Sequence, residues 1–153
     1  APEAAPAALE LLRRTRATVL TPHPGEMARL LGGSARHIQE RRLTAAQELA
    51  VGSGAVVVLK GRPTIVADRE KAAVNPTGNP GMATGGTGDV LSGIVGALLA
   101  RGCDAWTAAG AAVYAHGLAG DLAAERLGQE AMLAGDLADA LSGALRSLEV
   151  GHR

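Results

Sequence analysis

The chain of 153 residues is long enough for one domain of ordinary size, or for part of a larger one. Its 15 Lys+Arg balance 15 Asp+Glu, which argues against nucleic-acid or polybasic membrane partners, because both need an excess of positive charge to meet phosphates. Phe is absent and Trp106 and Tyr114 are the only aromatics, so a platform for stacked bases is not expected.

Cys103 is the only cysteine, which excludes an internal disulfide and a cysteine-built zinc site; its ordinary reading is a lone buried thiol. The apolar runs fall well short of the roughly 18 residues that span a bilayer. Ala1–Ala8 has no basic stretch leading into an apolar core and does not read as a signal peptide. A soluble, cytoplasmic protein is the expectation.

In chain order, Ala17–Leu20 is a short β-prone run, stopped by Thr21-Pro22-His23-Pro24-Gly25. Two prolines and a glycine make that segment a stiff loop, and Glu26 then opens a helix that ends before Gly32-Gly33. Ser34 caps a second helix, predicted over 35–51. Ala55–Leu59 is a continuous apolar run, the pattern of a strand buried on both faces. Thr64–Ala67 and Ala72–Val74, joined by the polar Asp68–Lys71, read as a hairpin. Residues 75–88 form a long glycine-rich loop, of a length that in compact domains is usually functional. Everything from Asp89 onward reads as helix: one carrying Val90, Leu91, Ile94, Val95, Leu98 and Leu99 with Gly102 beyond its end, one capped by Asp104 and running toward Gly128, and one from Asp136 to about Leu148. Strands mixed with helices, then three helices in succession, suggest an α/β protein with helices covering a sheet.

The chemistry concentrates in Gly85-Gly86-Thr87-Gly88-Asp89. Glycines let successive N–H groups converge into an anion-binding nest, and the helix that follows adds its own free N–H groups and positive dipole end. A phosphate would sit well there. Asp89 is then either an N-cap or a carboxylate placed beside a phosphoryl group as a base. No Gly-Lys-Ser/Thr follows the glycines, so this is not a P-loop, and no βαβ unit surrounds them, so it is not a dinucleotide fingerprint. Lys60-Gly61-Arg62-Pro63-Thr64 leaves the end of the buried strand, where Lys60 either faces a ligand crevice or is a solvated turn residue. His23 is held rigidly between its prolines at another strand end. His116 reads as a packed core histidine, and His37 and His152 carry no signal. No His/Asp/Glu cluster has metal-ligand spacing, so no protein-built metal site is expected and a divalent ion would arrive with a nucleotide.

Taken together, Thr21-Pro22-His23-Pro24-Gly25-Glu26, Val58-Leu59-Lys60-Gly61 with Thr64, the run from Asn75 through Thr84-Gly85-Gly86-Thr87-Gly88-Asp89 to Leu91, and Tyr114-Ala115-His116-Gly117-Leu118-Ala119-Gly120-Asp121 closely resemble the ADP/ATP-dependent NAD(P)H-hydrate dehydratases of the ribokinase-like superfamily. The order and spacing match across nearly the whole chain. Sugar and vitamin kinases of the superfamily share only the short Gly-Thr-Gly core.

The resemblance implies a ribokinase-like layered αβα fold, of which residues 1–153 are the C-terminal part of a single domain. It implies repair of hydrated NADH and NADPH: ADP or ATP, with Mg²⁺, phosphorylates the ring hydroxyl, and phosphate then leaves as the double bond re-forms. By position Asp89 would take the hydroxyl proton and touch the hydrated dinucleotide, and His23 would contact that substrate. Lys60, Gly61, Arg62, Pro63 and Thr64 would line the adenine-nucleotide site, with Gly85, Gly86, Thr87 and Gly88 cradling the phosphoryl group. The family's upstream strands, with a glycine-rich substrate loop and an Asp-Ala-Asp-Ala-Leu-like segment, have no counterpart here. The chain then reads as a fragment, as one piece of a two-part protein, or as a chain that has lost activity. An open sheet edge would follow, favouring a homo-oligomer. A small-molecule kinase and an inactive nucleotide-binding fragment are the rival functions.

Overall fold

A computed structural model describes residues 17–150; Ala1–Ala8 and His152 lie outside them. Four strands follow from the apolar and β-prone runs almost as the sequence predicts. Val56–Leu59 (β2) is buried along its whole length, as a strand covered on both faces must be. It pairs parallel with Val19–Leu20 (β1) and antiparallel with Ile65–Ala67 (β3), which pairs in turn with Ala72–Val74 (β4). The sheet order is therefore β1-β2-β3-β4. The β3–β4 turn is closed by Asp68, whose Oδ1 accepts the N–H groups of Glu70 and Lys71, both at 2.8 Å.

Side-chain alternation along the strands sends two sets of residues to opposite faces. Val57, Leu59, Ile65 and Ala67 face a core shared with Met27, Ile38 and Leu49 from three helices, Pro24–Leu31 (α1), Ala35–Glu40 (α2) and Arg42–Ser53 (α3). Val56, Val58 and Val66 face Leu91, Val95, Ala109 and Val113 from Thr87–Ala100 (α4) and Ala105–Leu127 (α5). Ala134–Val150 (α6) packs on α5 through Ala119, Ala123, Leu137 and Ala144, outside the sheet. The result is the three-layered αβα arrangement expected.

Helix boundaries depart from the sequence reading for local reasons. α1 starts at Pro24 rather than Glu26, because Pro is preorganised for the first helical turn and His23, not a Ser or Asp, supplies the cap. The helix predicted over 35–51 breaks at Arg41, whose φ of −137° and ψ of 41° lie outside the helical range. Neither Gly nor Pro marks this break. α4 starts two residues before Asp89 and stops in a Schellman turn: the N–H of Gly102 reaches Leu99 O at 3.0 Å and that of Cys103 reaches Leu98 O at 3.1 Å. Cys103, expected to be buried, is half-buried just beyond that turn. α6 starts before Asp136 because this residue is the reciprocal partner of the first turn, its Oδ2 accepting the Leu133 N–H at 2.9 Å.

Candidate functional site

Because β1 and β2 run parallel, the segments leaving their C-terminal ends emerge on one edge of the sheet. Thr21–Glu26 follows β1 and Lys60–Thr64 follows β2, and the Lys60 N–H donates to Pro22 O at 2.9 Å, tying the two together. The glycine loop and the first turn of α4 close the third side. They bound a cleft of about 980 Å³ whose walls include His23, Lys60, Thr64, Asn79, Asp89 and His116.

On the β1 side, His23 Nδ1 accepts the N–H groups of Gly25 and Glu26 at 3.0 and 3.2 Å. Accepting at Nδ1 leaves the ring proton on Nε2, which stands 3.5 Å from Glu26 Oε1. Glu26 completes the capping box by accepting the His23 N–H at 2.7 Å, and its Oε2 lies 3.7 Å from Lys60 Nζ. Burial alone would raise the Glu26 carboxyl, but the His23 N–H bond, Lys60, His23 and Arg29 outweigh it and hold the group below its usual 4.5. Lys60 then reaches across to α4: its Nζ lies 3.1 Å from where a Cβ on Gly88 would stand, so the bare backbone there admits the amine.

The loop after β2 is shaped from behind. Arg42 Nη2 donates to the carbonyls of Leu59, Lys60 and Pro63 at 3.2, 3.3 and 2.7 Å. Gly61 sits under the guanidinium with φ +135°, a conformation and a closeness that only glycine accommodates. Thr64 Oγ1 closes the loop on Gly61 O at 2.9 Å, and the Arg62–Pro63 peptide is cis.

The glycine loop is seated on α5. Gly78 N–H donates to Asp121 Oδ2 at 2.8 Å, and Asn79 Nδ2 donates to Asp121 Oδ1 and to Gly120 O at 2.9 and 3.0 Å. Thr77 Oγ1 meets Tyr114 O at 3.0 Å. The close fit exists because α5 is bare here: a Cβ on Gly117 would overlap Thr77, and one on Gly120 would overlap Met82.

α4 begins where this loop ends. Gly86, at φ +90°, is its N-cap and has no side chain with which to cap it. The N-cap reading of Asp89 is thereby corrected, since Asp89 is the third helical residue. It is exposed, and among the described residues its carboxylate has no hydrogen-bond or ion-pair partner. A free carboxylate thus stands beside uncapped N–H groups and the positive end of the helix dipole. The Thr87 hydroxyl, by contrast, is buried and committed to the carbonyls of Met82 and Thr84 at 2.8 and 3.0 Å, leaving only its backbone for a ligand. His116, expected in the core, is half-buried at the cleft wall; its Nε2–H donates to Thr87 O at 2.8 Å.

Of the residues singled out from sequence, His23, Lys60 through Thr64 and Gly86 through Asp89 all line one cleft, and Gly85 lies just outside its lining. Sequence reasoning missed Arg42, Asn79 and the Glu26–Lys60 pair. Arg42 carries no local signal, since it lies in what reads as unbroken helix. Among the described residues no three His, Cys, Asp or Glu could together hold a metal ion, and no helix is long and apolar enough to cross a membrane.

The NAD(P)H-hydrate dehydratase family profile matches residues 5–142. The chain is 54% identical over 132 residues to a bifunctional NAD(P)H-hydrate repair enzyme, Nnr, of Moorella thermoacetica, covering 86% of this chain and 25% of that protein. It is 46% identical to the ADP-dependent (S)-NAD(P)H-hydrate dehydratase of Neisseria meningitidis, over 85% of this chain and 45% of the other. Its fold superposes with TM-score 0.81 and 36% identity on the Bacillus subtilis ADP/ATP-dependent NAD(P)H-hydrate dehydratase, co-crystallized with ATP/Mg²⁺, covering 86% of this chain and 48% of that one. A hydroxyethylthiazole kinase of Pyrococcus horikoshii, at 22% identity and TM-score 0.75, shares the fold. The chain spans about half the length of the dehydratases it matches and a quarter of the Moorella bifunctional enzyme.

Proposed function

The chain belongs to the NAD(P)H-hydrate dehydratase family, and on that premise we propose that its cleft takes hydrated NADH or NADPH together with ADP or ATP and returns NADH or NADPH. The observation that carries the reading is Asp89: an unpartnered carboxylate in the first turn of a helix whose N-terminus is uncapped and rich in glycine. Asp89 accepts the proton of the ring hydroxyl as that oxygen attacks the terminal phosphorus. The phosphorus–oxygen bond to the nucleotide breaks, releasing AMP from ADP or ADP from ATP. The N–H groups of Gly86, Thr87 and Gly88 meet the charge on the moving phosphoryl group, and Lys60, held against Gly88, adds its positive charge. Phosphate then departs with the carbon–oxygen electron pair, a neighbouring ring carbon gives up a proton, and the double bond is restored. Hydroxide is a poor leaving group and phosphate a good one, which is why a nucleotide is needed.

Lys60–Thr64 lines the adenine-nucleotide side in this reading, and the Nε2–H of His23 faces the hydrated substrate. Mg²⁺ would enter on the nucleotide's phosphates; the described residues hold no three-ligand cluster of His, Cys, Asp or Glu. Among the described residues β1 pairs only with β2, and its Val19 and Leu20 are half-buried; this open edge supports a homo-oligomer.

The test is recovery of NADH absorbance from its hydrate with ADP or ATP. It is run on the chain alone and on the chain joined to the complementary first half of the Bacillus subtilis domain. Asp89→Asn removes proton acceptance while leaving the backbone nest intact, so turnover is expected to fall by roughly two to four orders of magnitude. Wild-type rates in Asp89→Asn would remove the base from the mechanism, and no recovery by either wild-type form would remove the activity.

A further inference from the structure

Arg42 does not line the cleft, yet it determines the shape of one wall. Its Nη2 gathers three carbonyls from both arms of the loop after β2, and its Nη1 is anchored to Gln39 Oε1 at 2.6 Å. The break at Arg41 puts Arg42 in the first turn of α3, where its side chain reaches that loop. All four acceptors are uncharged, and among the described residues Arg42 has no carboxylate at ion-pair distance. The contact therefore orders the loop without forming an ion pair. It also occupies the oxygens of Leu59, Lys60 and Pro63 with a residue outside the cleft. Carbonyl oxygens free to turn inward would repel an anionic ligand; held outward, they leave the Lys60 ammonium and the loop's N–H groups to face it. Gly61 is the complement of this device, because any side chain there would displace the guanidinium, 2.8 Å from its would-be Cβ.

We infer that Arg42 is the positioning residue of the nucleotide wall, fixing the Lys60–Thr64 loop in the form that accepts a nucleoside di- or triphosphate. This rests on the proposed role of that loop in nucleotide binding. A planar guanidinium that holds three loop carbonyls through Nη2 while Nη1 stays anchored on Gln39 is a task that lysine, with one compact ammonium, does not reproduce.

The experiment titrates the chain with ADP and ATP plus Mg²⁺ in four forms: wild type, Arg42→Met, Arg42→Lys and Arg41→Ala. Arg41 sits beside Arg42 but bonds Glu48 at 2.8 Å, away from the loop, and controls for general damage to the α2–α3 junction. Both Arg42 variants are expected to bind nucleotide at least about tenfold more weakly, and Arg41→Ala to bind as wild type. In the complete domain the nucleotide KM should rise while kcat at saturating nucleotide stays within about twofold. Without ligand, the amides of Lys60, Gly61, Arg62 and Thr64 should exchange with solvent faster in the Arg42 variants. If Arg42→Met does not fold, Arg42→Lys, which keeps the charge, is the form that decides. Nucleotide binding by the wild type that persists undiminished in folded Arg42→Lys would overturn this inference alone. No binding by the wild type would overturn the nucleotide reading and this inference with it.

Discussion

Two loops face each other across the cleft and are held by opposite means. The Lys60–Thr64 loop is held by a side chain added from outside, the Arg42 fork on its carbonyls. The Asn75–Gly86 loop is held largely by side chains that are missing, since Gly117 and Gly120 let it lie against α5 and the Asn79–Asp121 bonds then fasten it there. The first kind of hold depends on donor geometry, and Gly61 keeps the room that the guanidinium needs. The second depends on size, most strictly at Gly117, where backbone is the neighbour. One cleft therefore has a wall sensitive to chemistry and a wall sensitive to volume.

Adding single methyl groups to α5 sharpens the contrast. In Gly117→Ala the new Cβ overlaps Thr77 Oγ1 and stands 2.8 Å from the Thr77 carbonyl carbon, so backbone must move. A loss of about 1–3 kcal/mol is expected, seen as a lowered Tm, together with weakened nucleotide binding. In Gly120→Ala the three nearest atoms to the new Cβ all belong to the Met82 side chain, an adaptable thioether. Its loss should be smaller, about 1 kcal/mol or less. Equal melting temperatures for the two variants would show that the loop gives way as a whole, and would break the comparison.

These glycines also mark what the sequence made legible. A long glycine-rich run before an apolar helix points to a nest, and the structure has Gly86 at positive φ where α4 begins. The buried β2, the hairpin and the αβα layering follow from apolar runs and turn residues that act locally. Arg42 and Asn79 were not legible, because their partners are 17 to 42 residues away along the chain and no local pattern encodes such pairings. The break at Arg41 was hidden for the same reason: it has neither Gly nor Pro, and its neighbour's side chain is committed to a distant loop. Asp89 was placed in the right turn with the N-cap left open as one of its two readings, since a glycine N-cap is a weak sequence signal compared with an aspartate.

The smallest expected effect is on pH dependence where the two walls meet. Burial holds the His116 imidazole below its usual 6.5, with Lys60 acting in the same direction and the bond to Thr87 O against it. Folding thus favours the neutral ring, and as pH falls the unfolded chain takes up the proton first. The stability that His116 contributes is therefore whole above about pH 6.5 and is lost as pH drops below it toward the folded-state value. His116→Gln retains a donor for Thr87 O and removes the titration, so denaturant midpoints measured across this range should flatten. An unchanged slope would assign the acid limb to other groups, Glu26 first among them, whose lowered carboxyl loses its stabilising charge only at more acid pH.

The most direct test of the account is a calorimetric titration of the chain with ADP and with ATP in the presence of Mg²⁺. An uncapped glycine nest opposite a preformed Lys60–Thr64 wall predicts saturable binding at one site, complete by about millimolar nucleotide. A folded chain that gives no heat of binding at that concentration would contradict the assignment of the cleft to a nucleotide.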